Sequence, residues 1–392
     1  MLTQRKKVLF VITTLDAGGA EMSLCKVVSG FKNNNQYAIK VVSLTDIGPL
    51  GQDLKMSGVD VDSLNMVPGR LSLPAVLKLW WIMIRYKPDV VSTWLYHADF
   101  LGGIVARMCG VRAVVWGVRS SDVYSDKTKK LTHGIIKLCS YLSSFIPTRI
   151  VSCSIFAVET HAAVGYKKIK FMVVPNGFDL IKYQPSAEMF RAVREELGLS
   201  ETCRLVGFVG RNHPIKNPEG FLAVASYIAE YDENIHFLMV GKGNDTENMD
   251  LIALIQQYQL SNRIHLVGLQ RDIPRYMAAL DILVLTSWSE GFPTVIGEAM
   301  SSGVPCVVTD VGDAAYIVGE HGRVSVAGDM NGLAMQAVEL LKMNTDEFAL
   351  LRQLVRRRIA ENFSLDNMVQ GFETVFNEAY EQRKSIFDRM EK

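Results

Sequence analysis

Nothing in these 392 residues is long and greasy enough to cross a bilayer. A spanning helix needs about 20 consecutive apolar residues, and the longest such run, Leu79 to Ile84, falls far short. Close cysteine pairs are also missing. Cys25, Cys109, Cys139, Cys153, Cys203 and Cys306 are scattered, which fits neither a disulfide framework nor a zinc site and predicts reduced thiols in a cytoplasmic protein. Charge of one sign is not in excess, with 42 basic against 41 acidic side chains, so a globally basic nucleic-acid binder is excluded. The histidines lack metal-ligand spacing, and no carboxylate pair supplies it, so neither a metal nor any other cofactor is expected. A complete G-x-G-x-x-G is absent, which disfavours a nicotinamide dehydrogenase. Disorder is excluded by 48 % hydrophobic and 21 % charged residues. The start, Arg5-Lys6-Lys7 before Val8 to Ile12, imitates a signal peptide. Its apolar run is too short, and Asp16, Gly18 and Gly19 follow in place of a cleavage site, so a buried first strand is expected.

What is present is alternation. At roughly 100–200 residues per domain the length predicts about two domains. Short β-branched runs recur at Val8–Thr13, Ile39–Leu44, Val90–Thr93, Ala113–Gly117, Ile150–Ser154 and Phe171–Pro175, with helical stretches such as Ala20–Phe31 and Leu73–Arg85 between them. A second series follows at Leu205–Gly210, His236–Val240, Ile264–Val267, Ile282–Leu285 and Pro305–Thr309. It is interleaved with helical patterns at Gly220–Ala229, Asp250–Tyr258, Ile273–Ala279 and Thr294–Ser301. The pattern predicts an α/β chain with two doubly wound, Rossmann-like domains. They would span residues 1–175 and 176–365, jointed at Pro175-Asn176-Gly177, with a terminal helix over 366–392 packing back on the first. The even charge hides a dipole. Residues 1–175 hold 22 basic and 11 acidic side chains, and the remainder 20 and 30. The basic clusters, Arg5–Lys7, Lys127–Lys130 and Lys167–Lys170, suit an anionic membrane surface. Leu73–Tyr86 is apolar almost all round and predicts a buried helix. The alternative is a partly exposed, membrane-facing one with Trp80 and Trp81 at the interface.

Open parallel sheets bind ligands at the carboxyl ends of their strands, so the strand-to-helix loops are the candidates for chemistry. Gly18 and Gly19 let the backbone approach a ligand ahead of a helix N-terminus, where Glu21 caps. In Gly210 to Lys216, Arg211 and Lys216 put two cations on one loop, by fork and by point charge, enough to neutralise a pyrophosphate. In Ser289 to Glu298, Pro293 suits the first helical position, leaving the N–H groups of Thr294 and Val295 for a phosphate. Glu290 and Glu298 would lie about 12 Å apart on one helix at 1.5 Å per residue, beyond the roughly 5–9.5 Å of a glycosidase pair. They read better as hydroxyl-binding carboxylates for the two ends of a sugar-nucleotide. In Trp94 to Asp99, His97 is either structural or a partner for a sugar hydroxyl or a developing cation.

Taken together, these loops resemble the retaining glycosyltransferases of family 4, which have the GT-B fold of two Rossmann-like domains facing a cleft. The resemblance rests on Gly18-Gly19-Ala20-Glu21, Trp94–Gly103, Pro175–Asp179, Gly210-Arg211 with Lys216, Val240–Gly243, and Glu290–Asp310. Within that family it resembles enzymes of bacterial polysaccharide and lipopolysaccharide synthesis. It implies transfer of a hexose-type sugar from a UDP- or GDP-sugar to a glycan or lipid-linked acceptor, with retained configuration. By that resemblance Arg211 and Lys216 hold the diphosphate, Glu290 contacts the donor sugar and Glu298 the ribose. Amides at Gly291, Phe292, Pro293 and Thr294 meet phosphate and sugar, and Gly241, Lys242 and Gly243 lie around the base. His97 sits by the sugar, and Gly18 and Gly19 join the donor side. Trp116-Gly117-Val118-Arg119 stands where many relatives carry a histidine, which makes Arg119 and Asp122 the acceptor-side candidates.

No first-domain carboxylate stands out as a nucleophile, so front-face substitution is expected, with the leaving diphosphate taking the acceptor's proton. The competing classes are a nucleotide-sugar epimerase of the same two-domain fold and a non-catalytic nucleotide-sugar binder. The expected place of work is the cytoplasm, peripherally on the inner face of the membrane.

Overall fold

The computed structural model describes residues 5–32, 34–70, 72–120, 123 and 130–390. The chain divides into two compact units, Met1–Gly177 with Leu365–Lys392, and Phe178–Ser364. In the first unit strands and helices alternate: β1 (Lys6–Ile12), α1 (Gly19–Lys32), β2 (Tyr37–Ser43), α2 (Gly48–Met56), β3 (Asp60–Ser63), α3 (Leu73–Tyr86), β4 (Val90–Trp94), α4 (Tyr96–Met108), β5 (Ala113–Val118), α5 (Lys130–Leu142), β6 (Arg149–Ser152), α6 (Ile155–Ala163) and β7 (Phe171–Val173). The second unit repeats the rhythm with α7 (Ala187–Glu196), β8 (Arg204–Val209), α8 (Pro218–Ala229), β9 (Ile235–Val240), α9 (Met249–Gln257), β10 (Ile264–Gly268), α10 (Ile273–Ala279), β11 (Ile282–Leu285), α11 (Thr294–Ser301), β12 (Cys306–Thr309), α12 (Ala314–Val318), β13 (Arg323–Ser325), α13 (Met330–Leu341) and α14 (Thr345–Asn362). The terminal helix, α15 (Leu365–Met390), belongs to the first unit.

Both sheets are parallel throughout, in the orders β3-β2-β1-β4-β5-β6-β7 and β10-β9-β8-β11-β12-β13. Each chain path starts at the sheet centre, walks to one edge, then returns to the other side. A switch point therefore falls between β1 and β4, and another between β8 and β11. The continuous apolar runs are explained by burial on both faces. Val8 through Ile12 of β1 are fully inaccessible, as a helix-covered parallel sheet requires.

On one face of the first sheet, Phe10, Phe31 and Trp94 share a core with Met368, Phe372, Val375, Phe376 and Ala379 of α15. The Trp94 and Phe372 rings stack with centroids 5.5 Å apart. α3, α4 and α5 cover the other face around Leu79, Leu101 and Ile136. The first unit breaks off after Gly177, at the end of the Pro175-Asn176-Gly177 segment, and resumes at Leu365. Within the second unit the two crossing segments lie side by side, Phe178 donating its N–H to Phe363 O at 2.9 Å.

The structure departs from expectation in several places. β3 and β13 were not foreseen, since Asp60-Val61-Asp62-Ser63 and Arg323-Val324-Ser325 are short and polar. α3 is not a buried helix. Ala75, Leu79, Ile82 and Met83 face the core, while Leu73, Leu77, Trp80, Trp81 and Ile84 form an exposed stripe, the tryptophans 42 % and 54 % accessible. Much of the basic charge is spent internally. Lys6 donates to Asn377 and lies over the Tyr380 ring, Lys7 donates to Tyr86 O, Lys168 pairs with Glu159, and Lys170 donates to the carbonyls of Ser144 and Pro147. Lys127 and Lys129 lie outside the described residues.

Candidate active site

In the second unit the site grows out of the switch point. After β8 the chain makes one 3-10 turn, Pro214–Lys216, and reverses at Asn217, whose positive φ of 53° ends the turn. The Asn217 side chain then caps α8 by accepting from Gly220 N–H at 3.0 Å. The loop after β11 locks onto this turn. Thr286 donates its hydroxyl to Asn217 O at 2.8 Å, and Trp288 donates its N–H to Ile215 O at 2.8 Å. The two loops therefore present Lys216 and Glu290 to each other. Lys216 Nζ donates to Glu290 Oε1 at 2.5 Å, and Ser287 Oγ donates to the same oxygen at 2.7 Å. The pair is neither buried nor free, at 26 % and 10 % side-chain exposure. Arg211, on the same loop as Lys216, is exposed.

Gly291 and Phe292 continue into α11, which begins at Thr294. Pro293 occupies the N-cap rather than the first helical position, and no side chain caps the helix. Ile296 N–H turns back to Pro293 O at 3.2 Å, which leaves the N–H groups of Thr294 and Val295 for an anion or water. One turn on, Glu298 is half-buried, with the Tyr183 phenol beside its carboxylate. Burial first, and this carboxylate second, push the Tyr183 phenol upward.

The neighbouring loop, Gly241-Lys242-Gly243, is tied to the Arg211 loop through the backbone: Asn212 N–H donates to Lys242 O at 2.9 Å. A side chain at Gly241 is forbidden. Its φ is +132°, and a Cβ would meet Gly210 O at 2.1 Å. Behind Glu290, Gly312 plays the same part, since a Cβ there would sit 2.5 Å from the carbonyl oxygens of Glu290 and Gly291.

In the first unit, Gly18 and Gly19 lead into α1, and Glu21 folds back against Gly18, as a capping residue does. Burial raises the Glu21 carboxyl above its ordinary value. His97 stands in the first turn of α4. Burial lowers its imidazole below the usual 6.5, which keeps it neutral at neutral pH. It lines a cavity of about 970 Å³ at the carboxyl ends of β1–β4, together with Thr13, Asp16, Met66, Arg70 and Phe100.

Arg119 does not line that cavity. Its guanidinium lies 3.8 Å over the Trp94 ring with its nitrogens buried and the Cys153 thiol beside it. Burial pulls it below the ordinary arginine value, while the adjacent Cys153 thiol and Asp99 carboxyl oppose that pull. Asp99 is fully buried. It accepts from Thr93 Oγ1 at 2.6 Å, and burial raises it well above the carboxylate range. Asp122 lies outside the described residues.

The candidates therefore fall into two groups. Arg211, Lys216, Gly241–Gly243, Glu290–Thr294 and Glu298 belong to the second unit, on loops after β8, β9 and β11 and on α11. Gly18, Gly19, His97 and Arg119 belong to the first. Ser287 and Tyr183 were missed. Ser287 sits three residues before Glu290, a local signal, whereas Tyr183 lies 115 residues before the glutamate it touches. The cavity was missed too, because distant segments build it. Among the described residues no cluster of three or more acidic, histidine or cysteine side chains has metal-binding geometry, and no helix is long and apolar enough to cross a membrane. The six cysteines are free thiols.

Two family models match this chain. Residues 17–182 match Glycosyltransferase Family 4, and residues 203–343 match Glycosyl transferases group 1. A similar relative is the UDP-Gal:alpha-D-GlcNAc-diphosphoundecaprenol alpha-1,3-galactosyltransferase of Escherichia coli, 28 % identical over 78 % of this chain and 79 % of that protein. The N-acetyl-alpha-D-glucosaminyl L-malate synthase of Bacillus anthracis is 27 % identical over 49 % of this chain and 50 % of the relative. Among solved structures, Anabaena HepE in complex with UDP is similar with a TM-score of 0.81 at 23 % identity, covering 95 % of this chain and 100 % of that one.

Proposed function

The chain belongs to the glycosyltransferases of group 1 and family 4, and from that premise we propose that it moves a hexose from a UDP-sugar to a lipid-linked glycan acceptor with retention of configuration. A GDP-sugar is the other donor the reading admits. One observation carries the proposal: Lys216 and Glu290, from loops on either side of a strand switch point, meet in an ion pair at 2.5 Å beside an uncapped helix start. A bound diphosphate would compete for the Lys216 ammonium and release Glu290 to a donor-sugar hydroxyl. Arg211 offers the planar fork on the same loop, and the N–H groups at the start of α11 complete an anion receptor. Glu298, beside Tyr183, is assigned to the ribose hydroxyls, and Gly241, Lys242 and Gly243 to the base. Gly18, Gly19 and the neutral His97 are assigned to the sugar. Asp122 remains assigned to the acceptor side, and Arg119 to that side only through Trp94, since its buried guanidinium does not reach the cavity.

The bond from the anomeric carbon to the diphosphate oxygen breaks, and the acceptor oxygen attaches on the same face. The acceptor's proton passes to the departing diphosphate. Stabilising that leaving charge is worth about 2.7–4 kcal/mol per donor group in comparable preorganised sites. The donor and the lipid-diphosphate acceptor named for the Escherichia coli relative support this choice of substrates. The exposed stripe of α3, with Arg85 5.2 Å over the Trp81 ring and Lys87 just beyond, supports peripheral attachment to the inner face of an anionic membrane.

The test is release of nucleoside diphosphate from a panel of nucleotide-sugars, with and without lipid extract. Lys216→Ala and Arg211→Ala are expected to lower turnover by about tenfold or more with melting unchanged. Unaltered turnover in both overturns the diphosphate clamp. The product anomer, read by proton NMR coupling, should keep the donor's configuration, and inversion overturns the front-face course. Activity should survive chelator, and its loss there overturns the metal-free reading.

A further inference from the structure

The cavity of the first unit is sorted by polarity. The ends of β1 and β2 supply Thr13, Thr14, Asp16, Thr45 and Asp46, with Leu44 the one apolar side chain among them; the polar ones are the acceptors and donors that sugar hydroxyls use. The β3–α3 loop and α5 supply Met66, Val67, Leu131 and Ile135. α4 adds Phe100 and Leu101 beside His97, so apart from Asn65 and Thr132 this side is apolar, and Arg70 is its cation.

The walls are preformed. Backbone bonds run on past the strand ends, Leu44 N–H to Ile12 O at 2.8 Å, Asn65 N–H to Thr45 O at 3.0 Å and Met66 N–H to Leu44 O at 2.9 Å. The β3–α3 loop lies against α5, since a Cβ at Gly69 would touch Leu131 at 3.7 Å. At the rim Val67 and Leu131 stay 61 % and 52 % exposed, and the apolar stripe of α3 starts at Leu73, three residues past Arg70. A volume of about 970 Å³ exceeds what one sugar ring fills and sits at the top of the range for ligand pockets.

We propose that this cavity is a two-ended acceptor site: the β1–β2 side takes the acceptor sugar, Arg70 takes an anionic phosphate link, and the Val67–Leu131–Ile135 side takes the first units of an apolar chain. The proposal rests on the lipid-linked acceptor reading above. A free oligosaccharide would leave the apolar side unused, whereas an amphiphile with an anionic link matches all three parts.

The probe is farnesyl diphosphate below its micelle concentration, titrated by calorimetry into the full chain saturated with UDP, so that the diphosphate clamp is already occupied. Inorganic diphosphate and farnesol serve as comparisons. Farnesyl diphosphate should bind about tenfold or more tighter than either half alone. Val67→Asp and Leu131→Asp, both at exposed positions that a carboxylate does not unfold, should each remove most of that advantage. Arg70→Ala should remove the preference over farnesol. Equal binding in Val67→Asp, Leu131→Asp and the parent overturns the assignment. So does loss of binding in Trp80→Ala/Trp81→Ala with no loss in Val67→Asp, which would put the chain on α3 instead. UDP binding by the same calorimetry separates the two readings. If UDP fails to bind, the glycosyltransfer reading fails at the clamp. If UDP binds and the farnesyl arm shows no effect, this inference alone fails.

Discussion

The two units wind their strands in the same order from the sheet centre outward, yet they build different things at the strand ends. In the second unit, side chains knit the switch point. Ser287, Lys216 and Glu290 share one hydrogen-bonded cluster, and Gly241 and Gly312 let the surrounding backbone close in. In the first unit, backbone bonds extend the strands and leave a wide cavity behind them, lined on one side by apolar side chains. One scaffold thus yields a charged clamp and an amphipathic pocket, and the loops alone decide which. The sheet order says where a ligand binds, and the loop chemistry says what it is.

The comparison can be broken at its foundations first. The first unit depends on α15 for its core, and Phe372 is fully buried against Trp94. Phe372→Ala should cost about 3–5 kcal/mol. In a denaturant titration followed by near-UV absorption, the first unit should unfold earlier while UDP still binds. Loss of UDP binding before the first transition would show that the clamp depends on the first unit's core.

A second, smaller difference is acid sensitivity. His161 is fully buried, with Nδ1 2.7 Å from Ala157 O and Nε2 2.9 Å from the Tyr96 hydroxyl. Burial lowers its pKa from 6.5 to about 4. The unfolded chain therefore binds this proton before the folded one does. Stability is fully present above pH 6.5 and falls as pH drops toward 4, by about 3 kcal/mol in all. His161→Gln should flatten the pH dependence of unfolding by about one proton across that window, and an unchanged slope would remove His161 from the account.

The smallest expected effect lies at the surface. Trp80→Ala/Trp81→Ala should reduce flotation with anionic liposomes several-fold at low salt, and melting should stay within about 0.5 kcal/mol because both rings are half exposed. Equal flotation would take α3 out of membrane contact.

Legibility in the sequence followed locality. The helices over Ile273–Ala279 and Thr294–Ser301 and the strand Ile282–Leu285 were readable to the residue, because each sits between strong turn signals. The glutamates at 290 and 298 and the cations at 211 and 216 stand in contiguous loops, so their chemistry was readable as well. Their partners were not. Tyr183 touches Glu298 from 115 residues away, and only folding brings Ser287 and Lys216 to one carboxylate oxygen. α3 shows the same limit from another side. Its apolar residues made the helix plain, but whether Trp80 and Trp81 turn inward depends on what lies across from them.

By itself the sequence determined the alternation of strands and helices, the double winding and the set of charged loop residues, because periodicity and turn chemistry act over a few residues. Tertiary structure alone decided which carboxylate Lys216 meets, which face of α3 stays wet, and that five separate segments enclose one sorted cavity. Those outcomes come from packing between segments far apart in the chain, where burial and hydrogen bonding are shared among groups that no local pattern couples.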